Sequence, residues 1–310
     1  MKTCGREYEC CLLELQDSPG ESNMKRFAVF VAVVVGSVSG AQETADLVGR
    51  QRDKASGYWK NLEAAETKSP VESPHFMVFG RAPVARLKTV SQQLEAAFVT
   101  ASKPLKYSEK EGPWPGKLAV FVLPNRNDFV RLARIAGLKS PESDDTVLID
   151  ISGDQALLIV GPPRVGSADP ELAAREEMVG LMLQRKFGTM PPSWLKTGFV
   201  RATLARINRP SGKVINSPTV PFEELWNNRA PEAIRHQAAT YFVDYWAYGP
   251  GSEWFDKFLA AARPGENNRM PTVEEMARSL NWNVRDLELL PRLWKKPSNT
   301  DPSVKPKKKY

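Results

Sequence analysis

Apolar residues recur along the first half of the chain with two different periods. Short continuous apolar runs, typical of buried strands, alternate with segments whose apolar residues return every three or four positions, as on one face of a helix. Ser152-Gly-Asp-Gln155 has the composition of a tight hairpin turn, and Lys103-Pro104 is expected to stop a helix. The patterns predict strands at 75–79, 118–123, 146–151 and 156–160, and helices at 43–66, 84–101 and 128–136.

From Asp169 onward the apolar spacing is helical throughout. Asp169 is a natural N-cap, Pro170 suits the first helical position and Gly188 suits the position after the last turn, so a helix is predicted between them. Further helices are predicted at 194–207, 231–248, 253–262, 273–280 and 284–294. A sheet with helices followed by helices alone predicts an α+β fold: a small mixed sheet with helices, then a helical subdomain.

The N-terminal segment has the pattern of a processing signal. Met24-Lys-Arg26 is basic, Phe27 to Val35 is purely apolar, and Ser39 and Ala41 fit the small positions of a cleavage site. An N-terminal membrane anchor is the alternative, but it needs about 20 apolar residues. We therefore expect export to the periplasm or the extracellular space, with a soluble chain after cleavage near Ala41.

These patterns divide the chain into six predicted segments. Met24 would then be the true initiator, and the residues before it an upstream extension from a mis-chosen start; whether the true start is Met1 or Met24 stays open. The predicted segments are an extension at 1–23, a signal peptide at 24–41, an N-terminal helix at 42–70, a sheet subdomain at 71–167, a helical subdomain at 168–296 and a disordered basic tail at 297–310.

The composition of the chain limits the kinds of site and partner that it can have. The chain has only 2 His and 3 Cys, and all three Cys precede Met24, so a His-rich metal site and thiol catalysis are nearly excluded for the processed chain. The net charge is +7, but much of the excess lies in the Lys-rich tail. The body is not markedly basic, so no nucleic acid partner is expected. The tail is either solubilising or a contact for anionic surfaces.

One motif in the helical half resembles a known family. The predicted helix at 170–187, then Phe187-Gly188, Pro191-Pro192 and Trp194-Leu-Lys-Thr-Gly198, is similar to the core of the gluzincin metallopeptidases of the peptidase MA type. In that family the first helix carries His-Glu-x-x-His and the second opens with Trp-Leu-x-Glu-Gly, which together hold a catalytic zinc. The resemblance covers roughly residues 71–296 and implies a zincin-like fold.

The positions that should hold the metal are substituted. On this resemblance the first His position is Arg175, the second is Val179, and the third ligand position is Thr197. A guanidinium has no lone pair, a hydrocarbon has no donor and a neutral hydroxyl binds zinc poorly, so no metal and no cofactor are expected although the family uses zinc. Glu176 keeps the general-base position, where a neighbouring Arg or Lys would make its carboxylate a poor base.

Other candidate residues are weighed against ordinary structural roles. His75 is expected to bound a strand and His236 to pack in a helix, because their spacing supports no relocated metal site. Glu177 is expected to be a solvated charge, whereas for Glu176 a role in a cleft and a solvated role stay equally open. No nucleophile-elbow pattern or nearby His supports catalysis at Ser167, Ser193 or Ser252.

Two functions follow as hypotheses. The first is an exported, non-catalytic metallopeptidase-like protein that serves as a binding or structural module, with an unknown protein or peptide partner along an edge strand at Ala156–Val160, as the resemblance implies. The second is a hydrolase that uses Glu176 with atypical or no metal ligands. The sequence indicates neither the partner nor the oligomeric state.

Overall fold

The computed structural model describes residues 38–63, 69–108, 112–162, 169–208, 220–265 and 267–294. The predicted extension, most of the predicted signal peptide, Ser167 and the basic tail lie outside these residues. Within them the chain is a mixed α+β protein, as predicted, with five strands in the first half and about ten helices. The strands are β1 (Val71–Glu72), β2 (Phe76–Gly80), β3 (Leu118–Val122), β4 (Val147–Ser152) and β5 (Gln155–Val160).

The helices follow the predicted order with two additions. A short helix, α6, and a π-helical turn at Asp244–Tyr248 escaped the sequence patterns. The helices are α1 (Val38–Glu63), α2 (Val84–Leu105), α3 (Arg126–Ile135), α4 (Pro170–Phe187), α5 (Ser193–Asn208), α6 (Phe222–Trp226), α7 (Glu232–Val243), α8 (Phe255–Ala261), α9 (Val273–Ser279) and α10 (Val284–Leu293). Across the described residues, no helix is long and apolar enough to cross a membrane.

The five strands form one sheet in the order β1-β2-β3-β5-β4. β2, β3 and β5 are parallel, whereas β1 and β4 run antiparallel to their neighbours at the two edges. The predicted hairpin is confirmed, since Ser152 pairs with Gln155 and Gly153 takes a positive φ of 51° in the turn.

The prediction that Ala156–Val160 is an edge strand is wrong. Those residues belong to β5, which lies between β3 and β4, and the edge is β4. The physical reason is visible in the residues: all of β5 is buried, as suits a strand with neighbours on both sides, whereas no residue of β4 is fully buried and two of its six are exposed.

Along β2 and β3, alternate residues pack into two separate cores on the two faces of the sheet. Phe76, Val78, Leu118 and Val120 contribute to the larger core, with α2, α4 and the later helices. Met77, Phe79, Ala119 and Phe121 face the smaller core, under α1 and α3. The sheet is thus covered by helices on both faces, and the helical half continues only the larger core.

The ends of α4 follow the predicted signals. Asp169 Oδ1 accepts a hydrogen bond from the Glu171 amide at 2.9 Å, and Gly188 ends the helix at a φ of 85°. The predicted stop at Lys103-Pro104 is only approximate. α2 continues through Pro104 to Leu105 and ends at Lys106, which takes the left-handed conformation.

Helix α5 crosses α7 at very close range. A Cβ on Gly198 would lie 2.5 Å from the Ala239 carbonyl oxygen. The aromatic residues that follow on α7 and the π-helical turn pack in the core as expected, with Tyr241, Tyr245 and Trp246 buried. The structure therefore fixes α5 between α4 and α7 through a contact that only glycine permits.

Candidate functional site

Helices α4 and α5 meet at a glycine. Lys196 of α5 crosses Gly180 of α4, where an added Cβ would lie 2.4 Å from the Lys196 Cε. Beyond this crossing Lys196 Nζ donates to Glu177 Oε2 at 2.8 Å, and both side chains are about 30% exposed (31% and 29%). Glu177 is therefore not merely a solvated charge, because it forms an ion pair between the two motif helices.

Glu176 is half-buried on the same helix. Burial raises the pKa of the Glu176 carboxyl, and the charge of Glu177 adds to this effect. The charges of Arg201 and Arg175 lower that pKa but are outweighed. The direction of the pKa shift is therefore opposite to the one that a neighbouring cation alone would cause, because desolvation of the carboxylate exceeds the attraction of the guanidinium groups.

The three substituted ligand positions lie in different surroundings. Val179 is fully buried in the larger core, whereas Arg175 and Thr197 are half-buried. Arg175 Nε donates a long hydrogen bond of 3.4 Å to the Glu171 carbonyl oxygen. In the described part of the chain, no hydrogen bond or ion pair joins Thr197 to Arg175 or Glu176. The structure thus brings α4 and α5 together through Glu177 and Lys196 instead.

The donor set does not fit zinc. A guanidinium cannot coordinate a cation, valine has no donor atom and a single threonine hydroxyl is a weak neutral ligand. No group of three His, Cys, Asp or Glu residues that could hold a metal is found among the residues that the structure describes. We therefore derive no catalytic step through a metal at this position.

A groove lies between the edge strand β4 and helix α4. We call it the β4–α4 groove; it has a volume of about 610 Å³. Val147, Ile149 and Ile151 line it from the strand, while Glu177 and Leu181 line it from the helix. The groove therefore includes the acidic half of the Glu177–Lys196 pair. The sequence predicted a strand at 146–151, but the order of strands in the sheet was needed to place it beside α4.

Charged and exposed apolar side chains also line the groove. Asp144 and Asp145, which precede β4, contribute carboxylates, and Arg185 of α4 contributes a cation. Met190 follows α4 and is 65% exposed, and Ile149 in the strand is 38% exposed. Within the described residues these apolar side chains lie beside a strand edge that pairs with no other strand, and such an edge is a template for pairing with another chain.

His75 has a partner that sequence reasoning missed. It lies directly before β2, as expected of a strand boundary, and its Nδ1 lies 2.7 Å from Glu95 Oε2 of α2. The backbone amide of His75 also donates to Glu95 Oε1 at 2.8 Å, and the imidazole stacks on Phe98 with ring centroids 3.9 Å apart. The pair connects β2 to α2 and belongs to the packing of the sheet.

The remaining candidates have no catalytic arrangement. His236 is half-buried on α7, and its carbonyl oxygen accepts the Thr240 hydroxyl at 2.7 Å within the helix. Ser193 and Ser252 are exposed at the starts of α5 and of a 3-10 turn. No hydrogen bond from His236 to either serine is found in the described part of the chain, and the Nδ1 of His75 is engaged by Glu95.

The polar cluster at the π-helical turn is structural. Arg206 Nη2 of α5 donates to the buried Asp244 Oδ1 at 2.7 Å, and its guanidinium lies 4.5 Å from the centre of the Tyr248 ring. The Tyr248 hydroxyl lies 2.6 Å from Thr203 Oγ1, and burial raises the pKa of Tyr248. These contacts hold α5 against the end of α7.

Comparison of the chain with models of protein families, with characterised proteins and with solved structures finds no match, so the likeness to gluzincins rests on the sequence patterns alone.

Proposed function

We propose that this chain is an exported, gluzincin-like protein that does not hydrolyse peptides and instead binds an extended peptide along β4. The observation that carries the proposal is the free edge of β4, which opens onto the β4–α4 groove. Export is supported by the basic, apolar and small-residue pattern of residues 24–41.

The strand edge can supply the binding energy. Within the described residues β4 pairs with β5 on one side only, so the backbone groups on its other side have no sheet neighbour. An extended peptide that adds a strand gains main-chain hydrogen bonds, and pockets for alternate side chains then set its specificity. Val147, Ile149 and Ile151 lie at alternate positions of β4 and would meet every second side chain of such a peptide.

The lining of the groove favours a peptide of a particular composition. Ile149 and Met190 provide an apolar surface for one face of an added strand. The two carboxylates of Asp144 and Asp145 exceed the single cation of Arg185, while the charge of Glu177 is already balanced by Lys196. Apolar residues alternating with lysine therefore fit this groove best.

Loss of catalysis is supported by the same helices. A gluzincin needs a zinc-bound water whose pKa the metal lowers to about 7. The residues at the three ligand positions cannot hold the metal, and the α4–α5 contact is made instead by the Glu177–Lys196 ion pair at 2.8 Å. A peptide-binding groove without the hydrolytic centre is a binding module.

One observation favours the second candidate function, a hydrolase. Burial raises the pKa of Glu176, and a carboxyl group with a raised pKa is better suited to proton transfer near neutral pH than an ordinary one. We place it second because a carboxylate alone does not activate water as a metal ion does.

Metal analysis of the purified full-length protein, with a fluorogenic peptidase assay, separates the two candidates. We expect no stoichiometric zinc and no turnover above that of the Glu176→Gln variant. Zinc at one equivalent, removed by a chelator together with a Glu176-dependent activity, would show that the protein is a peptidase and that the alignment of ligands is mistaken.

Peptide binding is tested by fluorescence anisotropy with a labelled octapeptide of alternating valine and lysine. We expect saturable binding that N-methylation of alternate amides abolishes, because strand addition requires those groups. Ile149→Asp should weaken binding about tenfold, since it places a charge on the apolar wall of the groove.

The matched control is Val99→Asp. Val99 is an apolar residue of α2 that is 37% exposed, close to the 38% of Ile149, and it does not line the groove. The affinity of the Val99→Asp variant for the octapeptide should stay within about twofold of wild type. Equal losses in the two variants, or tight binding of the N-methylated peptide, would rule out pairing along β4.

A further inference from the structure

A second cavity lies on the opposite face of the sheet from the β4–α4 groove. It has a volume of about 230 Å³ and lies between α1 and the β4–β5 hairpin, and we call it the α1 cavity. Ala55, Ala119 and Leu157 form apolar walls, and all three belong to the smaller core. The cavity is therefore separate from the site at which peptide binding is proposed.

The α1 cavity is held open by one buried amide. Gln51 Nε2 donates to the carbonyl oxygens of Pro115 at 2.9 Å and Asp154 at 2.8 Å. Its Oε1 accepts the Lys117 amide at 2.9 Å, so a single side chain fixes two segments to α1: the loop at 115–117 and the β4–β5 hairpin. At Gly116, which has a positive φ of 62°, an added Cβ would lie 2.3 Å from the Gln51 Oε1. This frame fixes the distance between α1 and the hairpin, so the cavity is pre-formed.

Polar groups are grouped on one side of the α1 cavity. The Tyr58 hydroxyl donates to Gln155 Oε1 at 3.2 Å, and Gln155 Nε2 donates to Asp150 Oδ2 at 2.8 Å. Gln155 is buried and both ends of its amide are occupied, whereas the phenol oxygen of Tyr58 can still accept a hydrogen bond from a ligand. Leu157 and the alanines leave the opposite wall without polar side chains.

The charged side chains that line the cavity are Arg50, Asp154 and Lys54, which leaves one cation in excess among the lining residues. Arg50 Nη2 pairs with Asp154 Oδ2 at 2.9 Å, which balances both of those charges. Lys54, one turn further along α1, also lines the cavity and has no hydrogen bond or ion pair with any other residue that the structure describes. A ligand that carries a single negative charge would balance the positive charge of Lys54 at the mouth of the cavity.

The volume sets the size of the apolar part of the ligand. An engineered cavity of about 150 Å³ in another protein binds benzene, so a cavity of 230 Å³ holds a phenyl ring with a short chain. We propose that the α1 cavity binds a small amphipathic monoanion, whose apolar body lies between Ala55 and Leu157 and whose carboxylate meets Lys54. This site requires neither a metal nor the peptide groove.

The proposal is tested by titrating the ¹⁵N-labelled full-length protein with 3-phenylpropanoate and following amide chemical shifts. We expect saturable binding with a dissociation constant of about 1 mM or below. The shifts should be confined to α1, β3 and the β4–β5 hairpin. The neutral 3-phenylpropanamide should bind more weakly, and the cationic 3-phenylpropylamine should bind weakest, because its charge repels Lys54.

Two variants probe the charge and the volume separately. Lys54→Met should weaken binding of the anion two- to about fivefold, the range of a partly exposed ion pair, without changing binding of the amide. Lys60→Met, an exposed lysine later on α1, is the matched control and should change neither. Ala55→Leu should abolish binding of all three compounds by filling the cavity.

The alternative outcomes overturn the proposal. Equal affinity for the carboxylate and the amine, or an affinity that Lys54→Met leaves unchanged, would refute the role of Lys54. Shifts located along β4 and α4 would place the ligand in the other groove. If Ala55→Leu does not fold, the map of shifts in the wild-type protein still decides whether the α1 cavity is the site.

Discussion

The close crossing of α5 and α7 makes a sharp prediction at Gly198. An alanine Cβ there would lie 2.5 Å from the Ala239 carbonyl oxygen and 2.7 Å from Val243 Cγ2. Ordinary contact begins at about 3.4 Å, so α5 and α7 would have to separate by about 0.9 Å. The nearest atom is backbone, which cannot turn aside as the end of a flexible side chain would.

The magnitude follows from two opposing effects. Overpacking of a close contact costs about 1–3 kcal/mol, and a rigid backbone neighbour places Gly198→Ala near the upper end. Replacing a helical glycine by alanine returns about 1 kcal/mol of helix propensity. We therefore expect Gly198→Ala to lower the free energy of unfolding by about 2 kcal/mol.

A second glycine provides a control of opposite sign. Gly57 lies inside α1, and a Cβ there would meet nothing within 4 Å. Gly57→Ala should therefore raise the free energy of unfolding by about 0.5–1 kcal/mol, through propensity alone. Urea denaturation followed by tryptophan fluorescence measures both variants under the same conditions.

Two results would refute this reasoning. If Gly198→Ala is as stable as wild type, the α5–α7 crossing is not as close as the structure has it or separates without cost. If Gly57→Ala loses as much stability as Gly198→Ala, the effect belongs to helical glycines in general and not to the contact with Ala239.

Three further predictions concern buried charge. Arg206→Met removes the guanidinium from the buried carboxylate of Asp244 and should therefore lower the free energy of unfolding by about 3 kcal/mol. Urea denaturation measures this loss, and a loss below about 1 kcal/mol would contradict the prediction. Because the pKa of Glu176 is raised in the folded protein, its contribution to stability is largest below the ordinary pKa of glutamate and is lost as pH rises through its pKa in the folded state. Glu176→Gln should therefore have a higher melting temperature than wild type at pH 7 and the same melting temperature in acid. The pKa of Glu95 is lowered, since its hydrogen bonds from His75 outweigh the effect of burial, so its contribution is present above the ordinary value and lost as pH falls through the folded value. Glu95→Gln should therefore melt below wild type at pH 7, with a gap that closes in acid; a gap independent of pH would show that charge is not the cause.

Local signals in the sequence predicted most of the elements correctly. Local features depend on residues that are close in the sequence and can therefore be predicted from it. Examples are the N-cap at Asp169, the helix end at Gly188 and the hairpin at Ser152–Gln155. The π-helical turn at Asp244–Tyr248 was missed because its apolar spacing matches that of the α-helix it continues.

The candidate site was predicted less completely. The spacing of Arg175, Glu176, Val179 and Thr197 identified α4 and α5 as the helices of interest, but not the ion pair that joins them. Lys196 reaches Glu177 only because Gly180 leaves room for it, and that contact joins residues far apart in the sequence. The direction of the pKa shift at Glu176 also depends on burial, which no adjacent residue reveals.

The sequence by itself determined most of the helices and strands, their order, and the residue types Arg, Val and Thr at the three motif positions, because these depend on residue type and short spacing. Only the tertiary structure decided that β4 and not β5 is the open edge, that Glu177 is paired, and that a cavity lies under α1. A run of apolar residues shows that a strand is buried, but its neighbours in the sheet are chosen by contacts between distant segments, and the grooves follow from that choice.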